Sequence, residues 1–159
     1  MLKDFEKVLI DEETLQKRIK ELASEISRDY EGKNPLFIGI LKGSVFFITD
    51  LLRYLSVPAQ MDFMAVSSYG AGTKSSGEVK VLKDLNAPIA GKDVIIVEDI
   101  VDSGNTLSYL KRLLISRKPA SVKICTLLDK PDRRKTDIVT DYSGFIIPDE
   151  FIVGYGLDY

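Results

Sequence analysis

The sequence predicts an α/β fold with a mainly parallel central sheet flanked by helices. Short apolar runs typical of strands alternate along the chain with segments whose apolar residues recur at helical spacing. Residues 94–97 are all β-branched and have charged residues on both sides, which is typical of a strand buried on both faces. No repeat or linker interrupts the pattern, so we expect one domain over residues 1–159.

The first elements are predicted from spacing and capping residues. Apolar residues recur at helical intervals from Leu15 to Ile26 behind Asp11, a candidate N-cap, and the pattern stops near Gly32 and Pro35. A strand is predicted over residues 36–41. Ser44 is then expected to cap a second helix.

The rest of the chain continues the alternation. We predict strands over residues 59–66, 79–82, 94–97 and 122–128, and a helix carrying Leu107, Leu110, Leu113 and Leu114. Residues 67–78 are rich in Ser and Gly and predict a mobile loop, with residues 79–82 as the second arm of a long hairpin.

Composition limits the chemistry. The 22 basic and 24 acidic residues give a net charge of −2, which offers no general attraction to nucleic acid or to an anionic membrane. No apolar stretch approaches the roughly 20 residues that cross a bilayer, and the N-terminus does not resemble a signal peptide, so we expect a cytoplasmic protein.

Histidine is absent and Cys125 is the single cysteine, which excludes the usual zinc sites and histidine-dependent nucleophiles. Carboxylates remain, and these favour Mg²⁺.

The segment VIIVEDIVDSGNTL at residues 94–107 combines acids with a turn of small residues between a strand and a helix. Ser103, Gly104 and Thr106 are suited to bind a phosphate at the start of a helix, where backbone N–H groups lack partners. Glu98 and Asp99 suit sugar hydroxyls or a Mg²⁺ bound to them. The alternative is that Asp102 or Ser103 caps the helix while the other acids are solvated.

This segment closely resembles the phosphoribosyl pyrophosphate signature of type I phosphoribosyltransferases, specifically their hypoxanthine-guanine branch. Residues 41–44 (LKGS), 67–70 (SSYG), 128–131 (LDKP) and 148–159 resemble further segments of that family in the same order. The resemblance spans nearly the whole chain. It implies the type I phosphoribosyltransferase fold with a small purine-binding hood.

The resemblance also implies an activity in purine salvage. The 5-phosphoribosyl group of phosphoribosyl pyrophosphate would be transferred with Mg²⁺ to the 6-oxopurines hypoxanthine or guanine, giving IMP or GMP and pyrophosphate. Asp102 would manage the proton on N7 of the purine. The 5-phosphate would be held by Ser103, Gly104, Asn105 and Thr106, and the metal by Glu98, Asp99 and Asp158.

Other site residues follow from the same resemblance. Lys42 and Gly43 would bind pyrophosphate, with a cis peptide expected at Leu41–Lys42, although an ordinary turn is the alternative. Lys130 would contact the purine O6 or lie on the surface. Phe151 would stack on the base, with the backbone of Ile152 at its edge, or pack in the core.

Several alternatives stay open. Ser68 and Tyr69 would begin a lid over the site, or residues 67–78 are a simple hairpin tip. Asp158 is either a metal-region acid or part of a frayed terminus. The basic run at residues 133–135 is expected to solvate a surface turn rather than to bind nucleic acid.

Two departures from the family pattern concern Asn105 and the chain end. Some relatives have Lys at the position of Asn105. The chain stops at Tyr159, before a family segment whose arginine contacts pyrophosphate, so we expect the C-terminus to be incomplete. The alternative function is a non-catalytic nucleotide- or RNA-binding regulator on the same fold, and xanthine or orotate are alternative bases. The family resemblance further implies a homodimer or homotetramer.

Overall fold

A computed structural model describes residues 10–68 and 79–148. The helices are α1 (Glu12–Asp29), α2 (Val45–Arg53) and α3 (Asn105–Ile115), with a 3-10 turn at Pro131–Arg133. The strands are β1 (Leu36–Ile40), β2 (Gln60–Ser68), β3 (Val79–Lys83), β4 (Asp93–Val101), β5 (Ser121–Asp129) and β6 (Tyr142–Ile146).

The six strands form one sheet in the order β3-β2-β1-β4-β5-β6. All neighbouring pairs are parallel except β2 and β3, which are antiparallel. The predicted α/β class with a mainly parallel sheet is therefore confirmed. The hairpin of β2 and β3 is confirmed as well, because Ser68 pairs with Val79.

The core lies on both faces of the sheet. Ile95 and Val97 of β4 pack in one apolar cluster with α1 and α2, and Val94 and Ile96 pack in a second cluster with α3. All four side chains are fully buried, as the β-branched run predicts. β4 continues to Val101, beyond the predicted end, because its parallel pairing with β5 extends to the pair Val101 and Asp129.

The two helix starts that were predicted from capping residues differ. The Asp11 carboxylate accepts a hydrogen bond from the Thr14 N–H at 2.8 Å, so this cap is confirmed. Ser44 occupies the N-cap position of α2 without making a capping bond. Its buried hydroxyl instead donates to the Ile40 carbonyl at 2.7 Å, so the side chain closes the turn after β1.

The predicted loop at residues 67–78 begins later than expected. Ser67 and Ser68 belong to β2 and pair with Lys80 and Val79, and the remainder of that loop lies outside the described residues. Part of the predicted purine-binding hood, residues 149–159, lies outside them too. No helix in the described ranges is both long and apolar enough to span a membrane.

The topology places a crevice at the carboxyl ends of β1 and β4. The chain leaves β1 through α2 and adds β2 on one side of it, whereas β4 lies on the other side. Connections that diverge in this way leave a gap between the loops after the two strands, where α/β proteins bind ligands.

Candidate active site

The loop that follows β1 is in direct contact with the carboxyl-terminal part of β4. A Cβ atom added at Gly43 would lie 2.2 Å from Oδ2 of Asp99, so only glycine fits against this carboxylate. The peptide bond between Leu41 and Lys42 is cis, as the resemblance predicts. The structure thus brings the predicted pyrophosphate loop against one of the three predicted acids.

Glu98 and Asp99 face different parts of the crevice. Asp99 touches the loop before α2, while Glu98 lines the cavity in front of α3, as expected for successive residues of a strand. Burial and, secondarily, the neighbouring Asp99 carboxylate raise the pKa of Glu98 well above its ordinary value. Because burial disfavours its charged form, such a carboxyl group keeps its proton or binds a cation.

The cavity in front of α3 has a volume of about 180 Å³. Its lining comprises Glu98, Ile100, Val101, Asp102, Ser103, Gly104, Asn105, Thr106 and Leu107. The structure therefore brings together all the residues that were predicted to hold the 5-phosphate.

Gly104 is the N-cap of α3 and has a left-handed backbone, with φ of 79°. Gly104, rather than Asp102 or Ser103, occupies the N-cap position, although the Ser103 hydroxyl accepts a hydrogen bond from the Asn105 N–H at 3.3 Å. The N-cap residue itself has no side chain to cap the first turn of α3, and a helix start of this kind can bind a phosphate group.

Asp102 lies at the mouth of this cavity, directly after β4. Its side chain is exposed and its carboxylate accepts a hydrogen bond from the Ser103 N–H. Lys130 directly follows β5, and the pairing of Val101 with Asp129 places Asp102 and Lys130 side by side. Lys130 is only 9% exposed and its N–H donates to the Val101 carbonyl at 2.9 Å, so the alternative of a surface lysine is wrong.

Arg134 was missed by the sequence reasoning. Arg133 and Lys135 are exposed, as predicted for a solvated turn, whereas the side chain of Arg134 is only 17% exposed. Its guanidinium pairs with the Asp129 carboxylate and donates to the Asp102 carbonyl at 3.0 Å. One signal pointed this way: a carboxylate at the end of a buried strand requires a cationic or hydrogen-bonding partner.

Some predicted residues cannot be placed. Tyr69, Phe151, Ile152 and Asp158 lie outside the described residues. Ser68 is exposed at the end of β2. Within residues 10–68 and 79–148, no three acidic, histidine or cysteine side chains form a group that could hold a metal ion. The carboxylate oxygens of Glu98 and Asp99 are nevertheless the donors that Mg²⁺ prefers.

Comparisons with known proteins agree with this geometry. The family model described as phosphoribosyl transferase domain matches residues 9–159. The chain is 58% identical over 159 residues to the bifunctional protein TilS/HprT of Listeria monocytogenes, covering 100% of this chain and 24% of that protein. It is 55% identical to the hypoxanthine-guanine phosphoribosyltransferase of Bacillus subtilis, covering 100% of this chain and 88% of that protein.

A solved structure is similarly close. The crystal structure of a hypoxanthine-guanine phosphoribosyltransferase from Bacillus anthracis, with HEPES in its active site, matches with a TM-score of 0.93 and 52% identity. The match covers 97% of this chain and 91% of that one. The chain thus spans about a quarter of the Listeria protein and most of the two Bacillus enzymes.

Proposed function

The chain belongs to the phosphoribosyltransferase family, and on that premise we propose that it transfers the 5-phosphoribosyl group of phosphoribosyl pyrophosphate to hypoxanthine or guanine in purine salvage. The products are IMP or GMP and pyrophosphate. The contact between Gly43 and Asp99 carries the proposal. It joins a loop suited to a leaving pyrophosphate with the acids and the helix start that are suited to ribose 5-phosphate.

The phosphoribosyl group is bound by the loop after β4. Ser103, Gly104, Asn105 and Thr106 hold the 5-phosphate, because the start of α3 supplies backbone N–H groups and a favourable dipole. Asn105 adds no positive charge, so the backbone provides most of the attraction. Lys42 and Gly43 bind the pyrophosphate at the opposite side of the ribose.

Asp102 manages the proton in the transfer step. The lone pair of the purine N9 forms a bond to C1′ of the ribose while the bond from C1′ to the pyrophosphate oxygen breaks. The proton on N7 passes to the Asp102 carboxylate as this happens. An exposed carboxylate at the mouth of the cavity supports this role, since a base entering the crevice can reach it.

Lys130, which directly follows β5, recognises the base. Lys130 donates to the purine O6, which favours 6-oxopurines over adenine, because adenine has a donor amino group at that position. Its burial beside Asp102 supports this role. Phe151 stacks on the base, and the backbone of Ile152 meets its edge.

A magnesium ion fits the acids of the site. Glu98, Asp99 and Asp158 would hold it, and a cation beside Glu98 would stabilise the charged form of a carboxyl group whose pKa burial raises. When bound, Mg²⁺ neutralises the charge that develops on the departing pyrophosphate.

The remaining features are proposed from the family. Ser68 and Tyr69 begin a lid that excludes water from the reacting ribose. The protein is cytoplasmic and forms a homodimer or homotetramer. The non-catalytic regulator is not favoured, because the relatives described above are named as transferases and a net charge of −2 offers no attraction to RNA.

A screen of free bases tests the proposal. The purified protein is incubated with phosphoribosyl pyrophosphate, Mg²⁺ and, separately, hypoxanthine, guanine, xanthine, adenine or orotate, and pyrophosphate release is measured. We expect turnover with hypoxanthine and guanine and its loss in excess chelator. Equal turnover of adenine would refute the base assignment, and full activity in chelator would refute the metal requirement.

A further inference from the structure

The carbonyl groups of three successive residues in the loop after β4, residues 102–104, accept hydrogen bonds from three successive residues of a distant segment, residues 134–136. The Asp102 carbonyl accepts from Nε of Arg134 at 3.0 Å. The Ser103 carbonyl accepts from the Lys135 N–H at 2.8 Å. The Gly104 carbonyl accepts from the hydroxyl of Thr136 at 3.4 Å.

This arrangement sets the orientation of the peptide planes. The C=O and N–H groups of one peptide unit point in opposite directions, since the unit is planar and trans. Carbonyls drawn toward residues 134–136 therefore turn the attached N–H groups of the loop away from that segment. The same loop lines the cavity in front of α3, so the orientation of its peptide planes affects which groups face that cavity.

Packing enforces the same geometry. A Cβ atom at Gly104 would lie 2.7 Å from Oγ1 of Thr136 and 2.7 Å from Cγ2 of Ile138. The left-handed backbone of Gly104, with φ of 79°, thus sits directly against the distant segment. The loop has no room to shift toward residues 136–138.

Arg134 also bonds to Asp129 at the end of β5, the strand after which Lys130 is proposed to contact the base. Besides bonding to Asp102, its guanidinium pairs with the Asp129 carboxylate and donates to the Ile138 carbonyl at 3.3 Å. Asp129 is in turn held by the hydroxyl of Thr140 at 3.0 Å. The planar fork of arginine suits such a multiple contact, which the single ammonium of lysine cannot reproduce.

We propose that residues 134–136 form a positioning segment for the phosphate loop and that Arg134 is its principal positioning residue. Arg134 acts through the backbone of Asp102 and touches no reacting atom in this scheme. The proposal rests on the proposed function, because it concerns the loop that would bind phosphoribosyl pyrophosphate. The positioning segment affects the affinity for substrate without contacting the substrate.

The test compares two arginine variants that each lose an ion pair with an aspartate. Arg134→Met removes the contact with Asp102 and the pair with Asp129. Arg117→Met is the matched control, since Arg117 forms two 2.8 Å bonds to the carboxylate of Asp84 and is bonded to no residue of the phosphate loop in the described structure. Steady-state KM for phosphoribosyl pyrophosphate, calorimetric Kd for ribose 5-phosphate and Tm are measured for both variants and the wild type.

We expect Arg134→Met to weaken both phosphate ligands by about 10-fold or more, because each hydrogen bond from a charged donor contributes substantially to holding its partner. Arg117→Met should change neither by more than about 2-fold, and it should lower Tm less than Arg134→Met does, because the pair of Arg117 and Asp84 is more exposed than that of Arg134 and Asp129. Equal affinities in the two variants would overturn the proposal. If Arg134→Met does not fold, Arg134→Lys replaces it. Lysine keeps the charge beside Asp129 but loses the Nε donor, and unchanged phosphate affinity in that variant would equally overturn the proposal.

The outcome is separable from that of the proposed function. A wild-type protein that neither binds nor turns over phosphoribosyl pyrophosphate contradicts the function itself. An active wild type whose Arg134 variants bind phosphate ligands normally contradicts only the positioning role.

Discussion

Replacing Gly43 by alanine is expected to disable the site while leaving the fold intact. The added Cβ atom would lie 2.2 Å from Oδ2 and 2.7 Å from Cγ of Asp99, whereas real Cβ atoms essentially never approach another heavy atom within 3.0 Å. The gap to Oδ2 must therefore widen by close to 1 Å. Either the loop after β1 or the carboxylate of Asp99 has to move.

The size of the effect follows from that displacement. A misplacement of about 1 Å in a group that orients substrate costs on the order of 10²-fold in rate. Asp99 also accepts a hydrogen bond from the Ile100 N–H at 2.8 Å, which resists the shift and keeps the strain in the loop. We therefore expect kcat/KM to fall by about 10²-fold with phosphoribosyl pyrophosphate and hypoxanthine.

Gly91→Ala is the control for this experiment. Gly91 has φ of 75° and nothing within 4 Å of the added Cβ, so alanine there costs stability through backbone strain of about 1–2 kcal/mol without touching the crevice. Steady-state kinetics and thermal melts of both variants separate the two effects. A Gly43→Ala enzyme with kcat/KM within about 3-fold of wild type would refute the inferred coupling of the loop after β1 to Asp99.

Three further predictions concern single carboxylates. Asp102→Asn should lower kcat by roughly 10²-fold or more with little change in KM for phosphoribosyl pyrophosphate, and retention of most of the wild-type kcat at saturation would contradict its role. Burial raises the pKa of Glu98, so the contribution of this group to the stability of the ligand-free protein is present at low pH and is lost as pH rises through the raised pKa. The Tm of Glu98→Gln should therefore decline less with rising pH than the Tm of the wild type. Parallel profiles of Tm against pH would contradict this. The bond from Arg117 lowers the pKa of Asp84, so the pair stabilises the fold above the unfolded-state pKa and is lost as pH falls through the lowered value. Because that side chain is 49% exposed, Asp84→Asn should lose only about 0.2–1 kcal/mol in urea titrations at neutral pH and nothing in acid, and a loss that persists in acid would exclude the ion pair as its cause.

Local patterns predicted most of the elements correctly, and the reason is that each depends on neighbours in sequence. The N-cap Asp11 bonds to Thr14, three residues away. The four β-branched residues 94–97 are buried because both faces of the sheet are covered, which a continuous apolar run predicts. The cavity lining around Ser103 and Gly104 follows from one continuous segment. Such features are readable because spacing along the chain determines which groups meet.

The errors occur where another partner, either nearby or in a distant segment, competes for the same group. Ser44 was expected to cap α2, but the buried carbonyl of Ile40 takes its hydroxyl. Gly104 rather than Asp102 or Ser103 is the N-cap of α3, in a loop that accepts hydrogen bonds from residues 134–136. β4 continues past its apolar run because β5 pairs with it as far as Val101.

The sequence by itself determined the alternation of strands and helices and the acids and small residues that line the crevice, since these depend on residue type and local spacing. Only the tertiary structure decided that Gly43 contacts Asp99, that Lys130 is buried beside Asp102 and that Arg134 supports the loop from behind. These contacts join residues tens of positions apart. They arise from the order in which parallel strands assemble, and no local pattern encodes that order.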